Sequence, residues 1–352
     1  MALENHALCV GINRYSGLTP LQGAEADARS FHDWVTRVGR VPKANAKLIL
    51  SSDFPVAPNP TKAQPASQEI WDFFENLRAA ASANNDAQLG LKAGGRLYLF
   101  FSGHGFSPTL DTSGVLMANA EIDTPHNISA KAWADRFYEN GVFDEILLFQ
   151  DACREQVSDV EITPPYLKRS VMPGARDRRR FYAFAAKSPL LALEKPLAGT
   201  TRGVFSATLM AGLEGGATDP LTGQITAAQL KSYLVANMAA RLDSAEMANE
   251  DVSQRPEVFD LDPFVIVSPP PAAAAVRETF PVKATLPAPG HGATILDHTR
   301  KPVEQVPPGV TKWETRLPLG LFELVVPGRP GIVFKVSGAL SAAGKSEVVN
   351  VR

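Results

Sequence analysis

Two apolar runs of buried-strand length each end at a reactive residue. Leu97-Tyr98-Leu99-Phe100-Phe101 leads into Ser102-Gly103-His104-Gly105, and Ile146-Leu147-Leu148-Phe149 leads into Gln150-Asp151-Ala152-Cys153-Arg154. Continuous runs of Leu, Ile and Phe suit strands covered on both faces. His104 and Cys153 lie 49 residues apart, which leaves room for a crossover helix between two parallel strands. Neighbouring strands sit about 5 Å apart. An imidazole and a thiol at the same ends of adjacent strands can therefore meet over the carboxyl edge of a sheet, where open α/β sheets bind ligands.

The rest of the N-terminal three-quarters fits that frame. Residues 6–12 read as a central strand and 23–38 as an amphipathic helix with Ala24, Phe31, Trp34 and Val35 on one face. Further helices are expected over 67–81, 129–138 (capped by Ser129), 203–213 and 226–242. Strands are expected over 47–50, 181–186 and 259–267. The alternation predicts an α/β fold with a mostly parallel sheet and helices on both faces. Between Cys153 and residue 181 the chain is polar, carries Pro164-Pro165 and Pro173-Gly174, and has no periodicity. An aperiodic stretch of that length inside a compact domain is commonly functional or disordered.

Pro269-Pro270-Pro271 and the alanines after it read as a linker over 269–275. Beyond it, short alternating strands separated by Gly and Pro predict a small all-β sandwich over 276–352, similar in texture to immunoglobulin-like or prealbumin-like modules. The predicted catalytic domain then spans 1–268. Hydrophobic residues make up 45% of the 352-residue chain, enough for a full core, and the net charge of −2 does not favour nucleic acid or an anionic membrane. The only cysteines are Cys9, inside an apolar run, and Cys153. No disulfide framework is implied, which fits a reducing compartment. With no signal-peptide pattern and no membrane-length apolar run, a cytoplasmic location is expected.

The joint motif resembles the caspase-like cysteine peptidases, the clan of caspases, metacaspases and paracaspases, over roughly residues 5–266. Ser102-Gly103-His104-Gly105 and Asp151-Ala152-Cys153-Arg154 carry the likeness, with the His about 50 residues before the Cys. The Asp two residues before the Cys is similar to paracaspases and metacaspases, whereas true caspases carry Gln there. The resemblance implies a Cys–His dyad of Cys153 and His104, an oxyanion hole from the Gly105 and Cys153 amides, and no cofactor. Calcium activation is common in metacaspases, but no compact acidic cluster with ligand spacing stands in the sequence. Arg154-Glu155 departs from the Arg-Gly pattern of caspases.

A thiol is mostly protonated at neutral pH, and a nearby imidazole raises its thiolate fraction. Asp151 alternates with Cys153 along the strand, so both point to one side. A carboxylate there would hold a basic side chain, and the resemblance likewise implies Arg or Lys before the scissile bond. Asp27, early in the helix after the first strand, is either a second pocket acid or a favourable helix-end charge. Glu194 is a weaker candidate, because the alignment with related paracaspases is loose there. Related enzymes are cut in the segment after the Cys. Lys168, Arg169, Arg176, Arg178, Arg179 and Arg180 are thus either self-cleavage sites or a solvated basic loop. The expected partners are a protein substrate with Arg or Lys at the cleaved position and an effector or regulator bound by the β-domain. The alternatives are a silent caspase-fold scaffold acting through that domain, or a hydrolase of another bond.

Overall fold

The computed structural model describes residues 3–88, 90–157, 159–167, 178–197, 199–219, 222–260, 262–268, 279–286, 292–297, 300–318, 320–336 and 347–350. In chain order the first elements are β1 (His6–Gly11), α1 (Ala24–Arg37), β2 (Ala46–Leu50), α2 (Ser67–Asp86), β3 (Gly94–Ser102), β4 (Gly105–Phe106), β5 (Gly114–Leu116), β6 (Asn127–Ile128) and α3 (Ala130–Asn140). They are followed by β7 (Phe143–Asp151), β8 (Arg179–Phe184), β9 (Glu194–Leu197), β10 (Thr200–Gly203), α4 (Val204–Ala211), β11 (Ile225–Thr226), α5 (Ala227–Asn237), α6 (Ser244–Ala248) and β12 (Glu257–Asp260). The chain forms two compact units, one from 1–210 with 234–264 and the other from 211–233 with 265–352.

The first unit is built on a six-stranded sheet in the order β12-β8-β7-β3-β1-β2. Every neighbouring pair is parallel except β12 with β8. The unbroken apolar run of β3 has its cause in cover on both faces. Leu97, Leu99 and Phe101 join a core with Ile70, Phe74, Trp133 and Phe137 from α2 and α3, in which Phe74 and Trp133 stack at 4.5 Å. On the opposite face Phe100 stacks on Phe31 of α1 at 4.8 Å, and Trp34 meets Tyr98 edge-on at 5.9 Å. Leu97 through Phe101 are all fully buried, each such side chain contributing about 1.5–3 kcal/mol. Local chemistry sets the helix limits: the Ser129 hydroxyl accepts from the Ala132 amide at the start of α3, and Gly141 ends it at φ 72.

Two expectations are corrected at the sheet's far side. The strand expected from 181 begins at Arg179, because Arg179 and Arg180 pair with Glu145 and Asp135 and the aperiodic segment ends sooner. The single strand expected over 259–267 is two: β12 at the sheet edge and β13 (Val265–Val267), which pairs with β11. Pro263 cannot donate to a ladder and interrupts the run.

The second unit continues with β14 (Thr279–Thr285), β15 (Ala293–Asp297), β16 (Pro302–Val306), β17 (Lys312–Pro318), β18 (Gly320–Val325), β19 (Ile332–Val336) and β20 (Glu347–Asn350). They form a three-stranded sheet, β17-β14-β20, and a four-stranded sheet, β16-β15-β18-β19. Val282, Ala284 and Leu317 from the first share one core with Ile295, Phe322, Leu324 and Phe334 from the second, which makes a small sandwich.

Candidate active site

The sheet register brings the two motifs together. Ser102 and Asp151 are partners at the ends of β3 and β7, and the Gly103 amide donates to the Asp151 carbonyl at 3.1 Å. His104 and Cys153 each follow two residues after that partnered pair, at the carboxyl edge of the two central strands. They line one pocket with Leu21, Ala24, Asp27, Asp151, Leu193, Glu194 and Gly203.

His104 is held by the loop between β1 and α1. Its Nε2 lies 2.8 Å from the Thr19 carbonyl oxygen. A carbonyl only accepts, so Nε2 carries the proton and Nδ1 is the basic nitrogen. The His104 amide donates to Tyr15 Oη at 2.8 Å, and the two rings pack at 4.7 Å. The Cys153 thiol is partly buried and donates to the Ala192 carbonyl at 3.6 Å. Burial pushes this thiol up, and the Asp151 and Glu155 charges add to that. The shift favours the protonated thiol. Gly105 lies in β4 against the Cys153 peptide, where a Cβ would come within 2.8 Å of both the Cys153 carbonyl oxygen and the Ala152 Cβ. The site therefore requires a residue without a side chain.

Three carboxylates line the pocket. Asp151 is buried, and its Oδ2 accepts from the Ser206 amide at 2.9 Å and the Ser206 hydroxyl at 2.6 Å. Asp27 faces inward from α1, one turn before Phe31 on the same apolar stripe. It accepts from the Gly203 amide at 2.8 Å and pairs with the Arg202 guanidinium. Burial raises both carboxyls above their ordinary range. The neighbouring Asp151 charge raises Asp27 further and Arg202 opposes it, while the Ser206 bonds oppose the rise at Asp151. Glu194, a weak candidate from sequence, accepts from the Gln22 amide at 3.0 Å and the Gly23 amide at 2.7 Å. It thereby anchors the start of α1 to the pocket wall. Gly203, Ser206 and Arg202 were not singled out from the sequence.

Arg154, next to the thiol, is fully buried. It donates to Ser107 Oγ at 3.1 Å and the Leu110 carbonyl at 2.7 Å, and pairs with Glu257 of β12. Lys168, Arg169 and Arg176 lie outside the described residues. Arg178 is buried with its guanidinium over the Tyr138 ring. Arg179 and Arg180 belong to β8 rather than to a loop. Among the described residues no three His, Cys, Asp or Glu side chains gather as a metal site would need, and no helix is long and apolar enough to cross a membrane.

Comparison with known proteins bears on the family. Residues 4–261 match the family model described as the caspase domain. A probable protease from a Desulfuromonadales bacterium is 30% identical over 231 residues, 60% of this chain. The match covers only 26% of that relative's length. Among solved structures, caspase-1 from Spodoptera frugiperda aligns over 76% of this chain and 92% of its own, at 14% identity and TM-score 0.47. A Geobacter sulfurreducens protein aligns over 76% and 96%, at 14% identity and TM-score 0.41. With the family match spanning the whole of the central sheet, the chain belongs to the caspase-domain family of peptidases.

Proposed function

We propose that this chain is a cysteine endopeptidase that cleaves protein substrates after Arg or Lys with a His104–Cys153 dyad. The observation that carries the reading is a single pocket lined by a thiol, an imidazole and the carboxylates of Asp27, Asp151 and Glu194. A basic side chain entering it would meet acceptors at its tip while its peptide carbonyl lies near the sulfur. A charge-assisted hydrogen bond of this kind contributes about 1.5–3 kcal/mol.

In this reading His104 Nδ1 takes the proton of Cys153, and the sulfur attacks the scissile carbonyl carbon. The Gly105 and Cys153 amides stabilise the oxyanion, a contribution of about 3–4 kcal/mol for one well-placed donor. The imidazolium then gives its proton to the departing amine, leaving a thioester on Cys153. Water, deprotonated by the same imidazole, releases the acid and restores the thiol. Thr19 keeps Nε2 protonated throughout, so Nδ1 remains the nitrogen that exchanges protons.

The partly buried, hydrogen-bonded thiol and the Arg202 guanidinium on Asp27 favour a regulated processing enzyme over a constitutively open one. Self-cleavage in this reading falls to Lys168, Arg169 or Arg176, since Arg179 and Arg180 are laddered into β8. The C-terminal sandwich would recruit the substrate or a regulator. Fluorogenic peptides ending in Arg, Lys, Asp and Ala test the reading. Hydrolysis confined to Arg and Lys is expected, and equal rates on all four would contradict it.

A further inference from the structure

Two residues of the loop between β1 and α1 contact His104, and only the Thr19 contact is explained by its tautomer. Thr19 holds Nε2–H, while Tyr15 holds the backbone amide and one face of the ring. The loop is itself pinned. The Leu21 amide donates to the Asn13 carbonyl at 2.9 Å and the Ser16 amide to the Ala118 carbonyl at 3.0 Å, and Ser51 Oγ accepts from the Asn13 and Arg14 amides at 3.0 Å. Gly103 completes the fit, because a Cβ there would lie 2.5 Å from Tyr15 Oη. Burial keeps the phenol far above its ordinary range, so the hydroxyl stays neutral and available as the acceptor for His104.

We propose that Tyr15 is a positioning residue for the base: its hydroxyl fixes the His104 peptide and its ring fixes the imidazole plane, so that Nδ1 is held ready for the Cys153 proton. The proposal rests on the dyad reading above. Its physical content is that a rotatable imidazole, tethered only through Thr19, would spend less time in the geometry that accepts the proton. Removing the hydroxyl leaves the His104 amide without its acceptor and frees the strand end to shift.

The test is Tyr15→Phe, which keeps the ring and removes the acceptor, with His104→Ala as the reference. Two quantities are read: the pH profile of Cys153 alkylation by iodoacetamide, located by peptide mapping, and kcat and KM on an Arg-terminated peptide. The expected result is a kcat lowered on the order of five- to tenfold with KM within about twofold, and an alkylation profile displaced toward that of His104→Ala. Gly103→Ala pushes on the same hydroxyl from the other side, so it must displace the profile in the same direction even if Tyr15→Phe does not fold. Wild-type profiles in the Tyr15 and Gly103 variants, beside a displaced His104→Ala profile, overturn the Tyr15 role and leave the dyad intact. A His104→Ala profile that matches wild type overturns the dyad and this inference together.

Discussion

Asp27 and Asp151 converge on one glycine. The Gly203 amide donates to Asp27 Oδ2 at 2.8 Å, and a Cβ on Gly203 would collide with the Asp151 carboxylate. A carboxylate of α1 and one of β7, far apart in sequence, thereby share the mouth of β10. Gly203→Ala is expected to force them apart, lowering kcat/KM on an Arg peptide at least tenfold and stability by about 1–3 kcal/mol. Steady-state kinetics and denaturant melts check both effects.

The same pair predicts a pH dependence. A carboxyl whose folded pKa is raised holds its proton more tightly folded than unfolded. Its stabilising contribution is fully present below the unfolded value, roughly 4, and is lost as pH rises through the folded value. The unliganded protein should therefore lose stability on going from acid toward neutrality. Affinity for a basic side chain should rise over the same interval, as the pocket loses protons. Thermal melts and KM between about pH 5 and pH 8 should show these opposite trends, and Asp27→Asn should weaken both, leaving the part due to Asp151.

Glu194 combines a pocket charge with a helix anchor, and two substitutions separate them. Glu194→Gln keeps an oxygen for the Gln22 and Gly23 amides but removes the charge. It should raise KM for Arg peptides about tenfold, by loss of a charge-assisted contact, with little change in melting temperature. Glu194→Ala should show the same kinetic loss plus about 1 kcal/mol of instability from the uncapped amides.

Arg154 joins the residue after the thiol to β12 through Glu257. Arg154→Met would leave the Glu257 carboxylate without this partner and Ser107 and Leu110 without their donor. Glu257 is partly exposed, so the loss should fall below the about 3–5 kcal/mol that removing one member of a fully buried pair costs. Arg154→Met with Glu257→Gln should recover part of that loss, which a double-mutant cycle measures.

Much of this site was legible because strands impose a simple geometry. The apolar runs before His104 and Cys153 fixed the two strands, and register did the rest. Asp151 could be read from alternation alone. Asp27 was ambiguous from its place near a helix start, yet it also stands four residues before Phe31 on the apolar stripe, a position that argues for inward orientation. Arg202 and Gly203 were not legible, because they reach the pocket through the β9–β10 hairpin, whose polar residues carry no periodic signal, and Ser206 reaches it from the first turn of α4, where a lone serine carries no signal either. Thr19 acts through its backbone carbonyl, which no side-chain pattern reports. In the second unit, Pro302, Glu304 and Gln305 make β16 a polar edge strand with little apolar alternation to mark it in the sequence.

The most direct test of the central claim is the initial rate on an Arg-terminated fluorogenic peptide for the wild type and for Cys153→Ala, followed by Asp151→Ala. Hydrolysis by the wild type that disappears with Cys153, and falls sharply with Asp151, is the predicted result. A rate that survives the loss of the Cys153 sulfur would contradict the mechanism.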